Sequence, residues 1–509
     1  MASILSGLFP LFLFVFFLYK WVSSRKPKNL PPSPPKLPII GNLHQMGKHT
    51  HRTLLALSQK YGAPDIMFLQ LGTKPSVVIS SAKAASYAFK THDASFSERP
   101  QLAIAKLFNY GCKDMIFAPY GDHWRRLKSI CTLQLFTSSR VKSFRRVREE
   151  ELDLMIQAIK ENSKQLVNLT SLFSSLTNDI VCRTAFGRKY RVDEQGQGID
   201  FDRLIKGFID FFGRQNVEDV LPWMSWINRF NGFNAKAREV SEVLDPFVER
   251  IVHDHATRMK DRLRSSTIDD DDTTIKDFVD ILLESYQTDG GAKYAPDAHL
   301  VIKALLVNIF AAGTHTQTIT MEWTFTELLR HPKVMKRLQQ EIRDVVGEKG
   351  AVSEDDLENL TYLKAVIKEI FRVHPPVPVV VPRLCREDIK LSGYDIPAGT
   401  QIIFNVWAIG RDSAYWDDVD VFNPERFLNS EIDYKGQHFG LLPFGAGRRG
   451  CPGILFATTN IEVVLANLVH QFDWSLPVGV EKESLDMSET SGGIPHKKEP
   501  VIVIAVPRA

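Results

Sequence analysis

Cysteine is scarce, five in 509 residues: Cys112, Cys131, Cys182, Cys385 and Cys451, odd in number and without a C-x-x-C pair. That usage gives no disulfide or zinc framework and fits a reducing compartment, with four of the five expected as small buried hydrophobes. An excess of one charge is also missing. Lys and Arg total 63 against 60 Asp and Glu, a net charge of +3, and no zinc-finger, RRM or basic-aromatic signature occurs, so nucleic acid is not an expected partner. No G-x-G-x-x-G follows a strand-like run, which excludes a dinucleotide site in this chain. No long low-complexity linker divides the body. At 44% hydrophobic and 24% charged residues, one large unit with an extensive core is the simplest organisation.

The chemistry that is present gathers near the C-terminus. Phe444-Gly445-Ala446-Gly447-Arg448-Arg449-Gly450-Cys451-Pro452-Gly453 precedes Ile454, Ala457, Ile461, Val464, Leu465 and Leu468, which recur at helical spacing. Pro452 suits a first helical position, so free N–H groups and the helix dipole are expected to stabilise a Cys451 thiolate. Gly445, Gly447 and Gly450 are expected to take φ > 0 and to leave room for a flat ligand. Arg449 suits a carboxylate on that ligand. The bland alternative is a glycine-rich turn around an inert cysteine, but a chance match to F-x-x-G-x-R-x-C-x-G in a chain of this length is on the order of 10⁻⁴. The stretch reads as a haem-thiolate loop, and it resembles the cysteine loop of the cytochrome P-450 superfamily.

At the other end, residues 4–19 form an apolar run followed by Lys20, Arg25, Lys26 and Lys28. The run is slightly short of the about 20 residues that span a bilayer. It lacks both the preceding basic residues and the cleavage site of a signal peptide. Residues 1–22 are therefore expected as a retained single-pass anchor with the body on the cytosolic side. Residues 23–42, basic and then proline-rich, are expected as a stiff hinge, and residues 43–509 as the catalytic domain. The N-x-T sequons at Asn168 and Asn359 would then be cytosolic and unmodified.

Within the body, residues 61–80 predict a β-hairpin and most of the chain beyond them has helical period, giving a mainly α fold with a small β region. Trp124 and Lys128 lie four apart on one helix face, and Arg140, Lys142, Arg145, Arg146 and Arg148 continue the basic run. Residues 208–233 are aromatic and apolar around Leu221-Pro222-Trp223-Met224-Ser225-Trp226-Ile227, read either as core or as a loop dipping into a membrane. Asp269–Asp272 reads as a solvated loop. The helical pattern from 305 to 329 is interrupted by Ala311-Ala312-Gly313-Thr314-His315-Thr316-Gln317, where small residues and hydroxyls cost propensity and suggest close approach of a flat cofactor. Thr316 can bond the Ala312 carbonyl and open the helix for O₂ and a water. Glu369 and Arg372, three apart on a helix ended by His374-Pro375-Pro376, share a face.

The resemblance runs from the anchor to the last strand and is similar in detail to plant A-type microsomal members, clan seventy-one, where W-R-x-x-K also occurs. It implies haem b held by Cys451, with Phe444 and Arg449 in its loop and with Trp124, Lys128 and Arg383 toward the propionates. It implies a structural network of Glu369, Arg372 and Arg426, and a proton relay at A-G-x-[DE]-T that places Gly313, His315 and Thr316 at the catalytic position. Here His315 replaces the acid. Imidazole can still pass protons; the bland reading is that His315 faces a neighbouring helix while Thr316 and water suffice. By the same analogy Phe108, Phe117, Phe310, Val377, Val381 and Ile494 face a small hydrophobic substrate.

The implied activity is insertion of one oxygen atom from O₂ into a small plant specialised metabolite: a terpenoid, a phenylpropanoid or coumarin, or an amino-acid-derived compound. NADPH-cytochrome P-450 reductase is the implied donor, docking on the outer face of the basic helix, with cytochrome b5 an optional one. The implied location is the endoplasmic reticulum membrane. Two alternatives stay open: a haem-thiolate enzyme without net oxygenation, such as an aldoxime dehydratase or isomerase, and a non-catalytic binding protein for haem or a small ligand.

Overall fold

The structure, a computed structural model, describes residues 15–16, 29–190, 207, 211, 216–264, 275–286 and 297–508. Most of the expected anchor, the basic part of the hinge, part of the 208–233 stretch and Asp269–Asp272 lie outside the described residues.

The described chain is mainly helical with small sheets. In chain order, leaving aside one-turn pieces, the helices are α1 (Thr50–Lys60), α2 (Ala82–His92), α3 (Ala103–Phe108), α4 (Asp122–Ile130), α5 (Ser138–Ser143), α6 (Arg145–Glu161) and α7 (Leu169–Phe186). They continue as α8 (Phe233–Arg264), α9 (Phe278–Ser285), α10 (Ala298–Arg330), α11 (Pro332–Val346), α12 (Thr361–Val373) and α13 (Ile454–Gln471). The expected hairpin is present as β1 (Ile66–Leu71) and β2 (Lys74–Ile79), antiparallel from Ile66↔Ile79 to Leu71↔Lys74. Its turn is only Gly72-Thr73, so Lys74 and Pro75 belong to the strand. β2 then pairs in parallel with β7 (Gln401–Phe404), and β7 pairs antiparallel with β4 (Arg383–Leu384). A second sheet joins β3 (Leu166–Asn168), β9 (Ile502–Pro507) and β8 (Phe472–Ser475). β5 (Ile389–Leu391) and β6 (Tyr394–Ile396) form a third pair.

α10 is the axis of the core. It packs against α7, α8, α11, α12 and α13, and 67% of its most apolar window is buried. It is long and apolar enough to cross a membrane, but that burial marks it as a core helix. The small and hydroxylic residues at 311–317 do not interrupt it. Each threonine hydroxyl bonds back one turn: Thr314 to Phe310 O at 2.9 Å, Thr316 to Ala312 O at 2.7 Å, Thr318 to Thr314 O at 3.2 Å and Thr320 to Thr316 O at 2.9 Å. The hydroxyls are satisfied within the helix, so the expected local opening is absent.

The proline-rich stretch from residue 29 to 42, expected as a stand-off spacer, is docked along β1. Phe68 N–H bonds Pro32 O at 2.9 Å, and Asn42 and Gln70 exchange bonds at 2.6 and 2.8 Å. Gly41, at φ +60°, is needed there because a Cβ would strike the Gln70 carbonyl.

Candidate functional site

Cys451 lies just ahead of α13. The helix begins at Ile454 with Gly453 as N-cap, not at Pro452 as the sequence suggests. Gly445 and Gly447 take φ +66° and +65°, whereas Gly450 does not. Gly450 is small for a packing reason, since a Cβ would sit 3.1 Å from Gly447 O. The Cys451 amide bonds Phe444 O at 3.0 Å, closing the loop, and the Phe444 ring meets Phe371 at 5.1 Å and Tyr434 at 5.6 Å.

Burial raises the Cys451 thiol pKa, against the opposing pull of the Gly453 N–H and the Lys128 ammonium. Helix terminus and lysine therefore do not by themselves yield the thiolate expected from sequence; a coordinated cation would complete the stabilisation. Yet Cys451 also exposes surface. A sulfur that is both reachable and desolvated lies in an enclosed space. Ala312 is likewise exposed on a helix whose preceding turns are buried. The buried amide bond from Asn460 Nδ2 to Gln317 Oε1, 2.9 Å, ties α10 to the cysteine helix one residue past Thr316. A thiol, an exposed alanine face and glycines without side chains fit a flat metal-bearing group. The other four cysteines are buried and their thiols are pushed up, to about 11 for Cys112 and Cys385 and about 12 for Cys131.

The basic side chains named from sequence gather beside this loop. Lys128 Nζ donates to Gly450 O at 2.8 Å, and burial lowers its pKa. Trp124 Nε1 donates to Met115 O at 3.0 Å, and its ring lies 4.4 Å under the Arg449 guanidinium. Arg449 donates to the carbonyls of Ser97 (2.8 Å), Met115 (3.3 Å) and Ala118 (2.6 Å), and burial lowers its pKa to about 10. Arg383, buried, donates to Ala446 O at 2.5 Å and Asp93 Oδ1 at 2.8 Å. Two partners were not legible in the sequence. Asp93, the C-cap of α2, also accepts from Arg448 NH1 at 2.9 Å and from the Arg448 amide at 3.1 Å. Arg99, on Ile116, Val381 and Pro382 carbonyls, is a third buried guanidinium whose pKa falls through burial and then through the nearby Arg383 and Arg449 charges. The three guanidiniums, balanced in part by Asp93, Glu98 and Asp114, suit an anionic ligand group.

Behind the loop, Glu369 and Arg372 are fully buried and bidentate at 2.7 and 2.8 Å, and Arg426 Nε reaches Glu369 at 3.1 Å. Arg372 also holds the Gly410, Val419 and Val421 carbonyls. The basic run is broken up: Arg125, Arg126, Lys142 and Arg146 are exposed, but Arg148 is buried on Glu354 at 2.6 Å.

Above the loop, Gly313 has a packing reason, because a Cβ would meet Val181 of α7 at 3.3 Å. The His315 ring meets that of His496 at 5.2 Å. Of the expected pocket residues, Phe108 lines a cleft of about 860 Å³ between α3 and α8. Phe117 and Phe310 are buried, and Val377, Val381 and Ile494 are partly buried. The stretch 222–230 exposes Trp223, Trp226 and Phe230, which overturns the core reading for those side chains.

The family model described as Cytochrome P450 matches residues 31–504. Among curated proteins, the chain is 48% identical to "Cytochrome P450 736A117" of Prunus mume, over 97% of this chain and 94% of that one. It is 46% identical to "Cytochrome P450 71A6" of Nepeta racemosa, over 97% and 98%, and 42% identical to the "Tabersonine/lochnericine 19-hydroxylase" of Catharanthus roseus, over 98% and 97%. A solved zebra fish cytochrome P450 with abiraterone superposes with a TM-score of 0.73 at 25% identity, covering 91% of this chain and all of that one.

Proposed function

This chain belongs to the cytochrome P450 family, a family of haem-thiolate monooxygenases, and from that premise we propose that it oxygenates a small hydrophobic plant specialised metabolite with electrons from NADPH delivered by a reductase. Relatives named as hydroxylases and oxidases support oxidation of specialised metabolites as the activity class. The observation that carries the reading is the Cys451 sulfur, accessible yet desolvated, in a glycine-rich loop flanked by buried cations.

Haem held there would supply an iron to which the Cys451 thiolate donates electron density, favouring O–O cleavage. The chain's own residues do the rest. Cys451 is the ligand, and Arg449, Arg383, Trp124 and Lys128 take the carboxylate edge of the cofactor. Glu369, Arg372 and Arg426 hold the backbone behind the loop. Thr316 places a hydroxyl, donated to the Ala312 carbonyl, on the exposed Ala312 side of α10. Phe108, Phe117, Phe310, Val377, Val381 and Ile494 supply apolar surface that favours a hydrophobic substrate and excludes water.

Residues 1–22 anchor the chain in the endoplasmic reticulum membrane with the body cytosolic. Exposed Leu37 and Ile39 support this, because Gly72 N bonds Ile40 O and Thr73 N bonds Val220 O, setting the hinge beside the strip bearing Trp223, Trp226 and Phe230. Exposed Arg125, Arg126, Lys142 and Arg146 suit an acidic reductase or cytochrome b5.

The test is an optical titration of the ferric holoenzyme with terpenoids, coumarins and aldoximes. A shift to high-spin iron identifies the substrate class, and product then requires O₂ and NADPH. Nitrogen ligation by an aldoxime with turnover in the absence of O₂ would replace oxygenation with dehydration.

A further inference from the structure

Between α3 and α4 the chain turns around a buried carboxylate. Asp114 has no exposed surface, and its Oδ1 accepts the amides of Ile116 at 2.7 Å and Phe117 at 2.9 Å. The loop arrives there from Asn109, the C-cap of α3, through Tyr110, Gly111 and Cys112 at φ +49°, +77° and +60°. Left-handed residues in a row, two of them not glycine, persist only where both ends are held. Asn308 of α10 holds them: its Oδ1 lies 3.3 Å from the Ile116 amide and its Nδ2 3.5 Å from Asn109 Oδ1.

The amides of this turn face Asp114, and its carbonyls face the cations. Met115 O accepts from Trp124 Nε1 at 3.0 Å and from Arg449 at 3.3 Å, Ile116 O from Arg99 Nε at 3.0 Å, and Ala118 O from Arg449 at 2.6 Å. The peptide groups Met115–Ile116 and Ile116–Phe117 are thus gripped at both ends, N–H on Asp114 and C=O on a side chain of the cation cluster.

A cap needs one acceptor oxygen, which an asparagine would supply equally well. Asp114 Oδ2 has no hydrogen-bond partner among the described residues, so the second oxygen adds a burial cost and no bond. What the charge adds is attraction for Arg99 and Arg449, each of which it favours in the protonated form. Burial pushes the carboxyl up to about 6, against the amides of Phe117 and Ile116 and the Asn308 side chain. The other titratable groups nearby are accounted for. Burial keeps the Cys112 thiol protonated, Lys113 pairs with Asp297 at 2.9 Å, and Glu98 accepts the Arg99 and Tyr120 amides.

We propose that Asp114 is a positioning residue for the cofactor: it sets the two peptide groups that aim Arg99, Arg449 and Trp124 at the haem carboxylates, and its charge offsets the positive field those guanidiniums place on the iron. The inference rests on haem bound at Cys451 and not on the proposed oxygenation.

The experiment uses the full-length, haem-loaded protein without substrate or reductase. The ferric–ferrous midpoint potential is followed by spectroelectrochemistry between about pH 5 and 8, a window that brackets the carboxyl, and haem release is followed by transfer to excess apomyoglobin. An ionised carboxylate near the iron favours the ferric form, so the parent's potential is expected to fall as pH rises through about 6. Asp114→Asn keeps the cap and loses the charge. It is expected to raise the potential above about pH 6 and to remove that fall, with haem release unchanged. Asp114→Ala loses both and is expected to speed haem release about tenfold or more, the effect of lost hydrogen bonds to a charged group. Asn308→Leu leaves cap and cations in place but withdraws a group that favours the carboxylate, so the fall should move to higher pH. Superimposable potential profiles for Asp114→Asn and parent would overturn the electrostatic role, and unchanged haem release in Asp114→Ala the positioning role. If Asp114→Ala does not fold, the Asn308→Leu profile decides, and a fall that stays in place there overturns the proposal. Absence of turnover with every compound, with these profiles as expected, would count against oxygenation and not against Asp114.

Discussion

Asp93 accepts from Arg383, from Arg448 and from the Arg448 amide, so one carboxylate at the end of α2 fixes both flanks of the loop that carries Cys451. Charged hydrogen bonds of this kind each contribute about 1.5–3 kcal/mol. Asp93→Asn keeps the shape and loses the charge. The expected outcome is a loss of about 2 kcal/mol in unfolding free energy and a lower haem-to-protein ratio after purification, read by denaturant melts and haem assay; unchanged values for both would show that the clamp is idle. Sequence found Cys451, Arg449 and the Glu369 pair because they sit in motifs of fixed short spacing. It missed Asp93, Arg99 and His496 because their partners come from remote elements, and a lone Asp after a helix or a His in a C-terminal loop carries no spacing to read.

At the scale of elements, the sequence pattern found α10, α12 and the β1–β2 hairpin, where periodicity is strong. It erred where local chemistry and tertiary context compete. The threonines of α10 suggested a break, but each bonds its own helix one turn back, so they cost propensity without opening the ladder. The 222–230 strip was ambiguous because apolar composition alone does not say which side is wet. Its single helical turns bury Asn228 and expose Trp223, Trp226 and Phe230. A membrane-facing strip predicts that Trp226→Ser with Phe230→Ser, in a chain shortened to residues 29–509, weakens binding to lipid vesicles at least about tenfold, since each aromatic contributes roughly 1.5–3 kcal/mol when buried. Flotation assays would show it, and equal partitioning of variant and parent would refute it.

At the scale of the molecule, Glu327 near the end of α10 joins the core helix to the end of α12. It meets His374 Nε2 at 2.7 Å, His331 Nδ1 at 3.3 Å and Arg330 at 3.4 Å. Burial alone would raise its carboxyl, but the hydrogen bonds from His331 and His374 outweigh that and hold it at about 2. That is below the about 4.3 of an unfolded glutamate. The stabilisation is therefore complete above the unfolded value and is lost as pH falls from there toward about 2. Glu327→Gln is expected to lower stability at neutral pH by about 3 kcal/mol and to flatten its decline between about pH 4 and 2. Denaturant melts across that window would test it, and parallel pH profiles for variant and parent would refute it.

The parallel pairing of β2 with β7 also has a consequence for how the protein is made. One edge of Ser76–Ile79 is taken by β1, but the other pairs with Gln401–Phe404, roughly 320 residues later, and at about 5–20 residues per second the ribosome needs about 15–65 s to deliver it. Through that interval the strand edge is open to any other strand, and the cysteine loop, later still, has not emerged. Cofactor loading is thereby confined to the end of synthesis, and the nascent N-terminal half depends on whatever shields that edge while it waits.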